Sequence, residues 1–223
     1  MSTVSEHFAA ERRAHRFSVA TFAVLGLLAL REWTTYELAQ QMERSFSHFW
    51  PRAERRIYDE PKRLAEAGYV QSRRELVGRR PRTCWRITPR GREALRSWLG
   101  ERAQPPTMEF EGLVKLFLAD QGGKQQLLDT LHAIRSDALS HRDELTALSA
   151  EVAEGYGQFG ERAHINALAM TYLAQVSELT ARWAEESVQV VGAWRGTTHP
   201  GEAARLRALQ EFARIAGSSS QPV

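Results

Sequence analysis

Fewer than sixty residues between Thr34 and Gly91 carry a helix-capping pair, a cluster of arginines at helical spacing and a basic alternating segment. Thr34 followed three positions later by Glu37 is a capping box, since each side chain can take the other's unsatisfied backbone N–H. Leu38, Ala39 and Met42 supply the apolar stripe behind it, so a helix of about ten residues is expected here. Pro51 stands where a first-turn proline belongs, and the spacing predicts a second helix over Arg52–Ala67 that Gly68 ends. Its inward face is Ala53, Ile57, Leu64 and Ala67; Arg52, Arg55, Asp59 and Lys62 point away, with Arg56 and Arg63 on the flanks. Pro61 falls inside this span, so a bend is expected near Ile57–Asp59. Tyr69–Glu75 and Thr83–Ile87 then alternate like a two-stranded hairpin, with Leu76–Arg82 as its basic tip.

A long apolar run precedes this block. Phe17–Leu30 has no charge and follows Arg12, Arg13 and Arg16. Glu6 and Glu11 spoil the basic region of an export signal, no A-x-A site follows, and the run is short of the ~18 residues of a membrane span. It reads as the buried first helix of a small domain, preceded by a polar extension over residues 1–16. A further helix from Thr88 carries Ala94, Leu95, Trp98 and Leu99. The expected fold is mainly α: an N-terminal winged helix-turn-helix over residues 17–103, with a β wing.

The charge distribution agrees. Residues 1–100 hold 19 Lys and Arg against 11 Asp and Glu, a formal +8, and residues 101–223 hold 11 against 16, a formal −5. The basic half suits a polyanion. In a helix-turn-helix the second helix enters the major groove by its N-terminal end, where Arg52, Arg55 and Arg56 are placed for bidentate contact with guanine. Asp59 can accept from cytosine or fix an arginine rotamer. Lys62 and Arg63 lie later, toward phosphates, and Arg79, Arg80 and Arg82 around Pro81 form a cationic tip for phosphates or a narrow minor groove. Arginines on a solvated face often do nothing specific, so the conjunction carries the reading.

Gln104–Thr107 reads as a linker, and the remainder, residues 104–216, as an α-helical dimerisation and effector domain. Phe110–Ala119 is a short amphipathic helix. Leu127, Leu131, Ile134, Ala138, His141, Leu145, Leu148 and Val152 then make a heptad seam, and Ile165, Ala169, Tyr172, Val176, Leu179, Trp183, Glu186 and Val190 make another. An antiparallel pair of such helices leaves apolar surface uncovered, which a second protomer covers economically; alternatively Phe110–Ala119 and a final helix near Glu202–Ile215 close the bundle within one chain. Gly217–Val223 reads as a disordered tail.

Catalytic and metal signatures are missing from the sequence. There is no G-x-S-x-G, P-loop or dinucleotide fingerprint, and the seven histidines form no H-E-x-x-H. His132 and His141 stand about 13 Å apart on one helix, too far to share a metal, and His141 at a seam position is expected to be hydrogen-bonded or solvated. A single cysteine, Cys84, excludes an internal disulfide and a cysteine-based zinc cluster, and fits a reducing cytoplasm. No cofactor or metal is implied. Trp98, Phe110, Phe117, Tyr172, Trp183 and Trp194 are candidate walls of a pocket, although such stripes are more often core. No effector-binding residue is assigned.

The ordered series Val24-Leu25-Gly26-Leu27-Leu28, Tyr36-Glu37-Leu38, Phe49-Trp50-Pro51, Ile57-Tyr58, Lys62-Arg63-Leu64, Gly68-Tyr69-Val70, Gly78-Arg79-Arg80-Pro81-Arg82 and Ile87-Thr88-Pro89-Arg90-Gly91 closely resembles the PadR family of bacterial transcriptional regulators. The part after it resembles the long helical C-terminal domain of that family's larger subgroup, by helix pattern more than by motif. Two departures stand out: Asp59-Glu60 follow Tyr58 where many members have Pro, and Thr35 precedes Tyr36 where many have Gly. The resemblance adds Tyr36 and Tyr58 to the DNA-facing set. It implies a homodimeric repressor that binds a palindromic double-stranded operator and releases it when a small aromatic or drug-like ligand binds. A protein–protein adaptor using the helical domain, with the winged helix as its interaction surface, is the alternative.

Overall fold

The computed structural model describes residues 17–50, 58–77, 80–155 and 160–218, with backbone only at 76, 77, 80, 81 and 218. The expected extension over residues 1–16 and residues 219–223 of the expected tail lie outside the described residues. The chain divides into two compact units, Met1–Pro105 and Pro106–Val223.

Helix α1, Val19–Leu30, starts at Ser18, whose hydroxyl takes the Thr21 N–H while the Thr21 hydroxyl takes the Ser18 N–H. This is a capping box built from serine and threonine. Thr21, Phe22, Val24, Leu25, Leu27 and Leu28 are all buried. A short strand follows: β1, Trp33–Thr34, places Trp33 opposite Trp85. Buried Trp33 donates its indole N–H at 2.8 Å to the Leu27 carbonyl in the last turn of α1, an oxygen that also accepts the Arg31 N–H at 3.4 Å.

Helix α2, Thr35–Phe46, begins with the expected capping box, Glu37 N–H to the Thr34 hydroxyl at 3.2 Å and Thr34 N–H to the Glu37 carboxylate at 2.9 Å. The Thr34 backbone N–H most, and then the Thr34 hydroxyl, hold the Glu37 carboxyl below its ordinary pKa. Leu38 and Met42 have no exposed surface.

Helix α3 spans Glu60–Glu66, which corrects the expected reach from Arg52 to Ala67. Tyr58 and Asp59 form a turn ahead of it, and residues 51–57 lie outside the described residues. Proline is the reason. In a helix interior Pro61 would orphan the carbonyl four residues earlier, whereas in the first turn of α3 its missing N–H costs nothing and no bend is needed. Gly68, at φ +77°, ends the helix with the Tyr69 N–H reaching the Leu64 carbonyl at 2.9 Å.

Strands β2, Val70–Val77, and β3, Arg80–Ile87, pair from Val70↔Ile87 to Val77↔Arg80. The sheet order is β1-β3-β2, a three-stranded sheet rather than a lone hairpin. The strands run further than expected: Leu76, Val77, Arg80, Pro81 and Arg82 belong to the ladder, not to a loop. β1 covers β3 only at Cys84 and Trp85, so Pro81 sits where the outer side of β3 is open, a place strands tolerate proline. Helix α4, Pro89–Leu99, is capped by Thr88, which accepts the Gly91 N–H at 3.1 Å. Phe22 stacks on Trp98 with ring centres 4.7 Å apart, and Phe17 meets Tyr69 edge-on. Trp98 is thus half-buried against the core, and the hole beside it, about 10 Å³, has no room for an effector.

The second unit is helical. Helix α5, Glu111–Phe117, is followed by a 3₁₀ turn, Ala119–Gln121, and then by two 30-residue helices, α6, Lys124–Ala153, and α7, Ala163–Gly192. They are antiparallel, since Lys124 at the start of α6 donates its ammonium to the carbonyls of Gly192, the last residue of α7, and of Trp194 just after it, each at 2.7 Å. The α6 seam is buried at Leu127, Leu131, Ile134, Ala138 and Leu145, and His141 meets the Ser177 hydroxyl through Nδ1 at 3.0 Å. The expected α7 seam is out of phase. Leu173, Ser177, Ala181, Ala184 and Val191 face inward, because small side chains let the two helices approach closely. Ile165, Leu168, Tyr172, Val176 and Leu179 are left exposed. Trp183 and Trp194 pack against Leu127, Leu131 and Val191. A last helix, α8, runs from Glu202 to Ser218, past the expected start of the tail, and exposes Leu206, Leu209, Phe212 and Ile215. No described helix is long and apolar enough to cross a membrane.

Candidate nucleic-acid interface

Helices α2 and α3 and the β2–β3 hairpin present the polar surface of the first unit. Tyr36, near the start of α2, is 65% exposed, and its hydroxyl accepts from Gln40 at 3.0 Å, which orients the ring. Tyr58 is 60% exposed in the turn before α3, and Asp59 beside it makes no side-chain cap bond. Lys62 is exposed. Arg63 shares α3 with it but is tied at 2.8 Å to Glu60, whose carboxylate is buried. A phosphate must compete with that ion pair for Arg63, and not for Lys62.

On the hairpin, Arg82 is an exposed residue of β3 opposite Glu75, and Arg80 lies in β3 with its side chain outside the described residues. Arg52, Arg55, Arg56 and Arg79 also lie outside the described residues. Arg74, exposed on β2 opposite Thr83, was overlooked. Its signal was available, because a charge at an inward-phase position of an alternating strand marks where the strand outruns the core. Arg73, by contrast, is ion-paired to Glu75 and approaches Glu32 at 3.5 Å. Cys84 donates to Glu75 at 3.4 Å, and burial pushes its thiol up, with the carboxylate adding to the shift, so it is a poor nucleophile.

The expected pocket aromatics do not converge within either unit. Trp183 and Trp194 are packed into the α6–α7 core, whereas Phe117 and Tyr172 face outward. Among the described residues no group of three His, Cys, Asp or Glu side chains is arranged to hold a metal. The first unit therefore exposes hydroxyls and cations on α2, α3 and the hairpin.

Residues 24–97 match the family model described as the transcriptional regulator PadR-like family, and residues 111–191 match the virulence activator alpha C-term model. The chain is 23% identical over 143 residues to the negative transcriptional regulator PadR of Bacillus subtilis (strain 168), which spans 63% of this chain and 73% of that protein. Its fold is similar to the crystal structure of Bacillus subtilis PadR in complex with operator DNA, with a TM-score of 0.68, 20% identity, and coverage of 78% of this chain and 99% of that one. It is similar also to Bacillus subtilis PadR in complex with p-coumaric acid, with a TM-score of 0.65 at the same identity and coverage. The chain is thus a winged-helix protein carrying a domain of the transcriptional regulator PadR-like family, a family of regulators and not of enzymes.

Proposed function

We propose that this chain is a sequence-specific DNA-binding repressor that acts as a homodimer on a palindromic operator and is relieved by a small aromatic or drug-like ligand. The observation that carries the DNA part is the exposure of Tyr36 near the start of α2 and of Tyr58, Asp59 and Lys62 at the start of α3, in a unit whose hairpin bears exposed Arg82. Arg52, Arg55 and Arg56 enter this proposal as base readers, Arg79 and Arg80 as wing contacts, and Arg63 as a phosphate contact that is shared with Glu60. The related Bacillus subtilis PadR, crystallised with operator DNA and with p-coumaric acid, favours both an operator and an effector here.

The dimer is supported by the second unit. Ile165, Leu168, Tyr172, Val176 and Leu179 form an apolar stripe along α7 that α6 does not cover, and α8 leaves its own apolar face open. Surface of this kind on long paired helices is covered by a partner copy at little cost. Fluorescence anisotropy of the full-length protein against the fragment upstream of its own gene, with random duplex as competitor across a salt series, tests the reading. Competitor-resistant binding with two protomers per site is expected; salt-independent or absent binding, with a stable heterologous complex, would replace it with the adaptor reading.

A further inference from the structure

We propose that the first unit carries a second binding site, a cationic cleft at the base of the hairpin that takes a small organic anion: a carboxylate or phosphate group on a compact apolar body. The cleft is an open cavity of about 470 Å³ between the end of α1, the base of β2 and β3, and the start of α4. Its walls hold three arginines, Arg31, Arg86 and Arg92.

None of the three is held by a carboxylate. Arg86 donates through Nε and Nη2 to the Gln71 amide oxygen at 3.2 and 2.9 Å, Arg92 donates to the Ala29 carbonyl at 3.2 Å, and the Arg31 guanidinium lies 3.7 Å over the Trp33 ring. Neutral partners of this kind fix a guanidinium's orientation and leave most of its five donors unused; Arg31 alone of the three also acts at a distance on a carboxylate, that of Glu37. The one acidic wall residue, Glu32, is shared with Arg73 at 3.5 Å. The positive end of α4 adds to the field. Beneath the arginines lie buried Leu28 and Ile87, an apolar floor that bare inorganic phosphate would not use.

The site is distinct from the proposed DNA surface. Arg86 pairs with Gln71 near the root of the hairpin, six residue steps along β3, ~20 Å, from Arg80 near the tip. A concave cleft of this volume matches a small ligand better than a duplex backbone. The inference does not depend on operator binding, because its reference state is the DNA-free protein.

Isothermal titration of the full-length protein with phenyl phosphate and with benzoate, at constant ionic strength and with benzyl alcohol as the neutral control, tests it. Saturable binding of at least one of the two anions at one site per protomer is expected, with none for benzyl alcohol. Arg86→Ala and Arg92→Ala should each weaken it by about tenfold, as loss of a charge-assisted contact does, and Arg96→Ala, elsewhere on α4, should leave it unchanged. All three arginines are exposed, so the variants should melt with the wild type. Binding of neither anion in a saturable way, or binding that survives loss of both Arg86 and Arg92, would overturn the proposal. So would absent phenyl phosphate binding together with a loss of affinity for random duplex in Arg86→Ala, which would make the cleft a contact for DNA phosphates.

Discussion

The Thr21 hydroxyl donates to the Glu60 carboxylate at 2.5 Å, with both residues almost fully buried, and so ties the first turn of α1 to the first turn of α3. The other Glu60 oxygen takes Arg63 at 2.8 Å. A carboxylate removed from water is tolerated only when its lone pairs are occupied, and here the partners come from two helices. Glu60→Ala should therefore destabilise the protein by about 2–4 kcal/mol, leaving the Thr21 hydroxyl without its acceptor, and Glu60→Gln, which keeps an acceptor, by about half as much. Urea denaturation of the two variants checks the order; equal losses would mean that the charge, not the hydrogen bond to Thr21, is what matters.

Glu37 gives the fold a pH dependence of known sign. Its folded pKa is lowered, chiefly by the Thr34 backbone N–H and then by the Thr34 hydroxyl. A carboxylate with a depressed folded value contributes stability that is complete above the ordinary glutamate range and is lost as pH falls through the folded value. Glu37→Gln should cost about 1 kcal/mol at neutral pH, the worth of a cap, and the wild-type advantage should shrink on acidification below that range. Thermal melts of both proteins between neutral and acidic pH measure this; a difference that stays constant with pH would refute it.

Gly91 marks a close approach of α4 to the chain. A Cβ there would lie 2.2 Å from the Tyr69 carbonyl oxygen and 2.7 Å from the Ile87 side chain, and backbone cannot move aside as a flexible side chain can. Gly91→Ala should cost about 1–3 kcal/mol, the usual penalty for overpacking, despite alanine's better helix propensity. A chemical denaturation midpoint unchanged from wild type would contradict the packing described.

The α7 stripe separates assembly from folding. Leu168 is 76% exposed and Val176 41% exposed, so a charge at either position can reach solvent within the protomer. Leu168→Glu combined with Val176→Glu should weaken self-association at least about 30-fold, as burying an unpaired charge at an interface does, with the helical signal retained. Sedimentation velocity reads this out; a double variant that self-associates as strongly as the wild type would contradict an interface on this stripe.

Lys62 and Arg63 distinguish a free cation from a tied one. Lys62→Ala should reduce the salt slope of DNA binding by about 0.9 and leave stability unchanged, the signature of one lost phosphate contact. Arg63→Ala should lower stability as well, because it strips the buried Glu60 of a partner. Identical behaviour of the two variants would contradict the separation.

Local signals in the chain translate directly. The Thr34–Glu37 box, Pro89 at the start of α4 and Gly68 after α3 act through neighbours a few residues away, and each is where the residue pattern puts it. The Ser18–Thr21 box was missed because threonine stands where the pattern expects Glu or Gln. β1 was illegible for a different reason. Two residues pair with a strand some fifty positions away, and no periodicity can announce so short a strand. The phase of α7 failed because heptad reading follows the bulky residues, whereas helix contact selected Ser177, Ala181 and Ala184 and left the bulky ones outside. At the site, Lys62 was legible as an outward-facing group and Tyr36 and Tyr58 entered only through the family resemblance, while the Glu60–Arg63 tie depends on burial of Glu60, which a hydrophilic stretch of sequence conceals.

Selection of duplexes from a random pool by the full-length protein, with the bound stoichiometry measured on the enriched sequence, tests the central claim most directly. Enrichment of an inverted repeat whose half-sites are centred about 10 base pairs apart, bound by two protomers, is the predicted result. A pool that remains random, or one asymmetric site bound by a single protomer, would contradict the account of a dimeric, sequence-reading repressor.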